Sequence, residues 1–477
     1  MKKQWRMIGL ICACLALLGG AWFLLEEPEA EEKAEKTAAK EEMLLEVAEE
    51  ELASVSVENE GGGYQITWND SETSVEGLEG LPLDEAKVQK VKKASACLRS
   101  RKKIGGGAER LEEFGLAEPA AEVKITGKDG KEYVLAIGNE APDTETESRY
   151  ALWKGEVYVM DAERLECFAD PVAEFLSRQV TPVYNESEDE FLVTRVSLER
   201  RGEKPITAEH LSSEEMAGYQ LNTYQLTSPR VYPADPGATE QFLPTLFNVE
   251  ATEAVKIHPE KADREAFGLE SPYLKTTVQY TDSEAKERTF ALTLSEPDTA
   301  GNVYVMAEGI DVIYACSAEA IPWLQITEQF LISHTILAPD IRTLSAVTVK
   351  EAGGEAYTLQ LQNMDTEEAG VLCNGKELDA DSFKNFYYTL ISMTAEEVLF
   401  EGFPKTDGLE KAAEVTFEYT DKSAEKSHVT YYTEAARQLY AVIDKKEQGF
   451  RLNAAQLETM LDNLHRLVNG EEIKARY

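Results

Sequence analysis

The sequence predicts an α+β fold of three tandem antiparallel units, each a hairpin, a helix, four strands and a helix, following one N-terminal transmembrane helix. Three observations carry this expectation. A hexapeptide is written almost identically twice, FGLAEP at Phe114–Pro119 and FGLESP at Phe267–Pro272. Each copy precedes two apolar–polar alternating segments joined by a polar turn, the signature of paired strands. Three strand-to-helix turns, DAERL at Asp161, SAEAI at Ser317 and NAAQL at Asn453, place a preferred N-cap residue, an alanine and an apolar residue at matching offsets.

Taken from the N-terminus, Lys2, Lys3 and Arg6 precede an uncharged run from Met7 to Leu25, close to the roughly 20 residues that cross a bilayer as a helix. Positive charge before the run and Glu26, Glu27 and Glu29 after it place the N-terminus in the cytoplasm and the bulk of the chain outside. Residues 1–25 are therefore expected to be a cytoplasmic stub and single-pass anchor in the cell membrane. A cleaved signal peptide is the competing reading, but the run is long for one and no small-x-small site ends it. A lipoprotein is a third, from Ile11-Cys12-Ala13-Cys14, although Cys14 lies in the middle of the apolar run. Residues 26–43 form an acidic spacer; the stretch Glu26–Glu42 has no aromatic or branched apolar residue with which to bury a core.

The first unit is expected over 44–182. Val55 and Val57 face inward, Gly61–Gly63 turn the chain, and Tyr64, Ile66 and Trp68 return; Asp84 then caps a helix. "AERLEEF" reads as two helical turns stopped by Gly115 in the left-handed conformation that glycine adopts cheaply, with Leu116 folding back and Pro119 preventing a restart. Four strands follow, and then a helix with Leu165, Phe168, Val172 and Phe175 on one face. The second unit, 190–338, starts near Thr194 and returns at Tyr224–Leu226 after an insertion. Asp235 with Pro236 caps its helix, Pro259 suits the first position of the next, and Gly268 stops it. The third, 341–470, starts at Ser345, is capped at Asp379 and stopped at Asp407-Gly408-Leu409. Ala412 stands there in place of proline, and the alternation is shifted as though one residue had been lost. Its last helix carries Leu457, Met460, Leu461 and Leu464. Strands joined by such short turns pair antiparallel.

The Gly-Leu-x-x-Pro stop, the "DGKEYVLAIGNE" hairpin and the "VYVMDAERL" turn resemble domain-of-unknown-function family 4340, a bacterial family usually carrying an N-terminal membrane anchor. The resemblance is clearest over 53–180, holds through the second unit and thins in the third. It implies the fold and, because such genes often lie beside those of ABC transporters, a partnership with transporter subunits by association alone. It implies no activity and no catalytic residues.

Composition narrows the functional classes. With 88 acidic against 48 basic residues the formal charge is −40, which disfavours nucleic acid and anionic lipid surfaces. The charge reads as a solvated surface or as a face for cations or basic partners. Six cysteines are present; Cys12 and Cys14 fall in the anchor, and Cys97, Cys167, Cys316 and Cys373 are scattered within apolar stretches, with no zinc spacing and the look of buried free thiols. The five histidines, His210, His258, His334, His428 and His465, lack the spacing of a zinc protease and read as structural. The glycines at 61–63 and 105–107 are not phosphate loops, and "NMDTEEAG" from Asn363 lacks the glycine and glutamate of a calcium loop. No catalytic, cofactor-binding or metal residue is assigned, no cofactor is expected and the chain is read as not an enzyme. The expected function is a membrane-anchored extracytoplasmic binding or scaffold protein, an accessory to an ABC transporter system or other envelope proteins. The alternatives are an envelope glycan or peptide binding module, with Trp153 and Trp323 as candidate ligand contacts although core packing is the preferred reading of each, and an unrecognised hydrolase.

Overall fold

In a computed structural model, the structure describes residues 41–69, 72–105, 110–142, 146–185, 191–212, 222–366, 368–400, 406, 408–435 and 437–473. The expected anchor at 1–25 and most of the spacer lie outside them. No helix among the described residues is long and apolar enough to cross a membrane. The chain divides into two compact units, one ending at Ser177 and the other beginning at Arg178.

The class is α+β, dominated by antiparallel sheets. In the first unit an eight-stranded sheet runs Thr73–Val75, Tyr64–Trp68, Leu52–Asn59, Ala121–Gly127, Glu132–Ala141, Ser148–Trp153, Glu156–Asp161, Lys102–Lys103. The second unit holds two nine-stranded sheets. One runs Tyr232–Pro233, Tyr224–Ser228, Ile206–His210, Leu192–Arg200, Leu274–Thr281, Glu287–Leu294, Asn302–Ala307, Val312–Ser317, Glu253–Ile257. The other runs Lys376–Leu378, Gly370–Cys373, Ala356–Gln362, Leu344–Glu351, Glu410–Tyr419, Ser427–Ala435, Gln438–Ile443, Gly449–Asn453, Glu397–Leu399. In each, the first hairpin strand pairs with the strand that follows the helix stop, fusing the hairpin and the later four strands into one sheet.

Alternation sets which face is buried. Val55, Val57, Ile66, Val123 and Ile125 are buried in the first sheet, Val196, Leu198, Leu274 and Val278 in the second, and Val347, Val349, Val415 and Phe417 in the third. The offset expected in the third sheet is present: Ala121 and Leu274 lie six residues after Gly115 and Gly268, whereas Ala413 lies five after Gly408. Helices cover the buried faces. Asp84, Asp235 and Asp379 cap Glu85–Ala96, Pro236–Phe242 and Ala380–Ile391, their carboxylates accepting from Lys87, Ala238 and Ser382 N–H at 3.1, 2.9 and 2.8 Å.

Several expectations need correction. The partner of Leu192–Arg200 is Ile206–His210, with Tyr224–Ser228 one strand further out, because Gly202 (φ +81°) turns the chain at once and Ile206 and Ala208 alternate into the core. Each sheet also gains a strand at its far edge, Lys102–Lys103, Glu253–Ile257 and Glu397–Leu399. "AERLEEF" gives only one 3₁₀ turn among its described residues, Leu111–Phe114. Pro259 precedes the N-cap Glu260 instead of opening the helix Lys261–Ala266. The single helix expected after Asp161 is Ala162–Leu165 followed by 3₁₀ turns Glu166–Phe168 and Val172–Phe175; Pro171, with no N–H to donate, interrupts it.

A pairing that alternation does not reveal closes each sheet's first helix. Glu42–Glu46 pairs with Cys97–Ser100, so the fold begins within the expected spacer. Arg178 and Val180 make the equivalent bonds to Ala251 (2.7 Å) and Val249 (2.8 Å), and His334 bonds Ala395 at 2.9 Å. Residues 178–182 and 334–338 were expected to end their units; Arg178–Pro182 and His334–Thr335 instead clasp the unit that follows. His334 also sets one ring nitrogen 2.8 Å from the Ala395 carbonyl and the other 2.7 Å from that of Gln329, while the Gln329 amide bonds both backbone groups of Val398.

The cap at Asp379 makes a pH-dependent prediction. Hydrogen bonds from the Ser382 side chain and then its N–H hold the Asp379 carboxyl below its ordinary 3.8. A carboxyl lowered in this way stabilises the fold fully above the ordinary value, and the contribution is lost as pH falls through the lowered one. Asp379→Ala is expected to cost about 1 kcal/mol at pH 7. In urea unfolding across a pH series, the gap from wild type should close below pH 3.8; a gap independent of pH would contradict the assignment.

Candidate binding faces

The repeated hexapeptide is a joint. Gly115 (φ +66°) and Gly268 (φ +73°) take the left-handed conformation, and Leu116 and Leu269 are buried. The motif phenylalanine docks on the tyrosine of the third strand after the stop: Phe114 on Tyr150 with ring centroids 4.6 Å apart, Phe267 on Tyr304 at 4.7 Å. In the third sheet Tyr440 instead donates to Glu434 at 2.6 Å. Of the strand-to-helix caps, Ser317 and Asn453 accept from Glu319 and Ala455 N–H at 3.2 and 3.0 Å. Asp161 makes no cap bond and pairs with Arg101 at 2.8 Å, in a cleft of about 600 Å³ that also holds Arg149.

The joint walls an open cleft on the outer face of the second sheet. It measures about 690 Å³, with Arg264, Leu269, Glu270 and Pro272 on one side and the turn Glu308–Asp311 on another. Its floor crosses the strands as Lys275, Thr293 and Met306, which are register partners. The first sheet carries a smaller cleft of about 340 Å³ at the same place, floored by Glu122, Ala136 and Leu152 in the same register and bounded by the turn Lys154–Gly155. Val134, at its floor, is 48% exposed. In the third sheet this row is Glu414, Thr430 and Val442. There His428 sets Nδ1 2.8 Å from the Thr416 hydroxyl and Nε2 3.8 Å from Glu414. Lys411 binds Glu414 and holds its carboxyl below the ordinary range. The trio lies on an open sheet face, and Glu414 is engaged by lysine before histidine.

A different cleft, about 360 Å³ and largely apolar, lies beside the helix Pro236–Phe242. Tyr184, Phe191, Tyr224, Leu243, Pro244 and Phe247 form most of its wall. Nothing local in the sequence marks it, because its residues come from separate segments.

The two tryptophans considered as ligand contacts are core residues. Trp153 stacks on Tyr133 with ring centroids 5.9 Å apart, and Trp323 is fully buried with its indole N–H donating to Thr276 at 3.0 Å. Of the histidines, His258 faces Asp311 at 3.2 Å and His465 faces Glu351 at 3.5 Å, while His210 lies edge-on to Tyr224. Asn363–Thr366, the start of the calcium-like stretch, is a hydrogen-bonded turn.

The four described cysteines are free thiols, Cys97 half-buried and Cys167, Cys316 and Cys373 buried. Burial pushes the Cys167 and Cys316 thiols up to about 12, where almost no reactive thiolate exists near neutrality. With a maleimide at pH 8 and peptide mapping, Cys97 is expected to label first and Cys167 and Cys316 only on unfolding. Prompt labelling of either buried thiol in the folded protein would overturn this.

A family model described as a domain of unknown function (DUF4340) matches residues 74–226 and again 224–412. The two matches lie in tandem and begin on corresponding strands, Thr73–Val75 and Tyr224–Ser228, each third from the strand that joins hairpin to stop. No curated protein and no solved structure matches the chain.

Proposed function

From the premise that the chain belongs to the DUF4340 family, we propose that it is a membrane-anchored extracytoplasmic binding or scaffold protein without catalytic activity, built from three tandem copies of one unit. The observation that carries the reading is the cleft that recurs on the outer faces of the first two sheets, on the same register row and beside the same turn. A reactive centre needs convergent desolvated groups; a repeated open groove of mixed apolar and charged lining suits contact with a partner. The third sheet agrees in strand order, and its one-residue offset fits a diverged copy. The uncharged run Met7–Leu25 and the acidic stretch after it supply a tether, with the N-terminus in the cytoplasm. An ABC transporter subunit is the proposed partner, on family association alone.

Affinity capture from detergent-solubilised membranes tests this. Transporter subunits should be recovered with the wild type and depleted with Val134→Lys combined with Met306→Lys, which replace an apolar lining residue of each groove with a charge. Reproducible recovery of other proteins with no transporter subunit would contradict the partnership.

A further inference from the structure

We propose that the aromatic cleft beside Pro236–Phe242 is a binding site for a small organic cation with an apolar or aromatic body, such as a quaternary ammonium or an aromatic amine. The cleft arises from a local change in the fold. The corresponding helices Glu85–Ala96 and Ala380–Ile391 run for 12 residues, whereas this one runs for 7 before Leu243–Leu246 tightens into a 3₁₀ turn around Pro244. Pro236, Thr239, Glu240, Leu243 and Phe247 face the cleft at helical spacing. Tyr184 and Phe191 also line the cleft, and with Phe247 they form a mutual cluster at centroid distances of 5.1, 5.5 and 5.7 Å. The Asn248 side chain pins Tyr184 in place, accepting from its N–H at 2.8 Å and donating to its carbonyl at 2.7 Å.

The wall's polar groups select the charge of the ligand. The Tyr224 hydroxyl is committed to the Val193 carbonyl at 2.8 Å, and the Thr239 hydroxyl to the carbonyls of Asp235 and Pro236 at 3.0 and 2.9 Å. The remaining charged group is Glu240, which is exposed and makes no ion pair or hydrogen bond among the described residues; none of the lining residues is basic. Aromatic faces carry negative potential and attract cations, more strongly when the cation is desolvated. A cage of tyrosine and phenylalanine rings with one uncompensated carboxylate at its rim thus favours a weakly hydrated cation over a neutral or anionic ligand of equal size. The volume, about 360 Å³, falls within the range of small-molecule sites. The formal charge of −40 adds a long-range bias of the same sign.

The test uses the full chain and three probes of similar size: benzyltrimethylammonium, benzyl alcohol and benzoate, titrated by isothermal calorimetry. Saturable binding of the ammonium probe is expected, with benzoate silent and benzyl alcohol weaker. Glu240→Gln, at an exposed position, should weaken the ammonium probe by roughly five-fold without changing the melting temperature. Tyr184→Ala should weaken both the ammonium probe and the alcohol. Absence of saturable ammonium binding, benzoate binding as tight as ammonium, or ammonium affinity unchanged in both variants would overturn the proposal.

Discussion

Replacing Gly138 with alanine is expected to destabilise the first sheet by about 3 kcal/mol, at the upper end of overpacking costs. A Cβ at this position would lie 2.3 Å from the Phe114 carbonyl oxygen and 3.0 Å from the Leu116 side chain. The first contact is with backbone, which cannot rotate away. Gly138 sits at a register shift in Glu132–Ala141, between Ile137 and Glu140, where the helix stop rests on the sheet. Phe114 and Leu116 pack there with Ala136 and Val157. Displacing the stop would therefore open that cluster as well as strain the strand. The second sheet supplies the control. Ser295 occupies the position equivalent to Gly138, and a Cβ on Gly268 would meet its Cβ at an ordinary 3.6 Å. Gly268→Ala should thus cost only the left-handed strain, roughly 1–2 kcal/mol. Urea unfolding of both variants checks the order. A Gly138→Ala protein as stable as wild type, or less affected than Gly268→Ala, would show that the stop does not bear on the strand as described.

Trp323→Ala is expected to cost about 3–5 kcal/mol, the range for removing a large buried aromatic side chain. The indole is wholly buried beneath the second sheet, in the 3₁₀ turn Pro322–Gln325, and its N–H satisfies the Thr276 hydroxyl, itself fully buried. Arg200 closes the same corner, donating to the Leu324 and Ile326 carbonyls at 2.9 and 3.0 Å. Trp323→Phe keeps most of the apolar contact but leaves the Thr276 hydroxyl without this donor, at about 1–3 kcal/mol. Thermal unfolding should rank wild type above Trp323→Phe above Trp323→Ala. A stable Trp323→Ala protein would instead place this side chain outside the core.

Local rules made much of this fold legible. The glycines at 115 and 268 needed a left-handed joint, Asp84, Asp235 and Asp379 needed an adjacent helix to cap, and alternation identified the buried faces down to the lost residue before Ala413. What escaped was non-local or short. Lys102–Lys103 is too brief and polar to signal a strand, and it pairs only because Glu156–Asp161 offers an edge. The clasp segments carry no periodicity and are defined by bonds to residues about 50 to 75 positions away. Ile206–His210 escapes because the insertion expected before Tyr224–Leu226 contains it, and the tight turn at Gly202 pairs it with Leu192–Arg200 first. The tryptophans show the limit for sites: residue type allows a ligand contact beside the preferred core reading, and burial places both in the core. The aromatic cleft was invisible for the opposite reason, since Tyr184, Phe191, Tyr224 and Phe247 meet only after folding.

Protease shaving of intact cells, read by immunoblot against an epitope within the folded sheets and against one at the N-terminus, bears most directly on the proposal of an outward tether carrying tandem sheet modules. Added protease should remove the sheet epitope while the cells remain sealed and leave a short N-terminal fragment protected. Persistence of the full-length chain until the membrane is breached would contradict it.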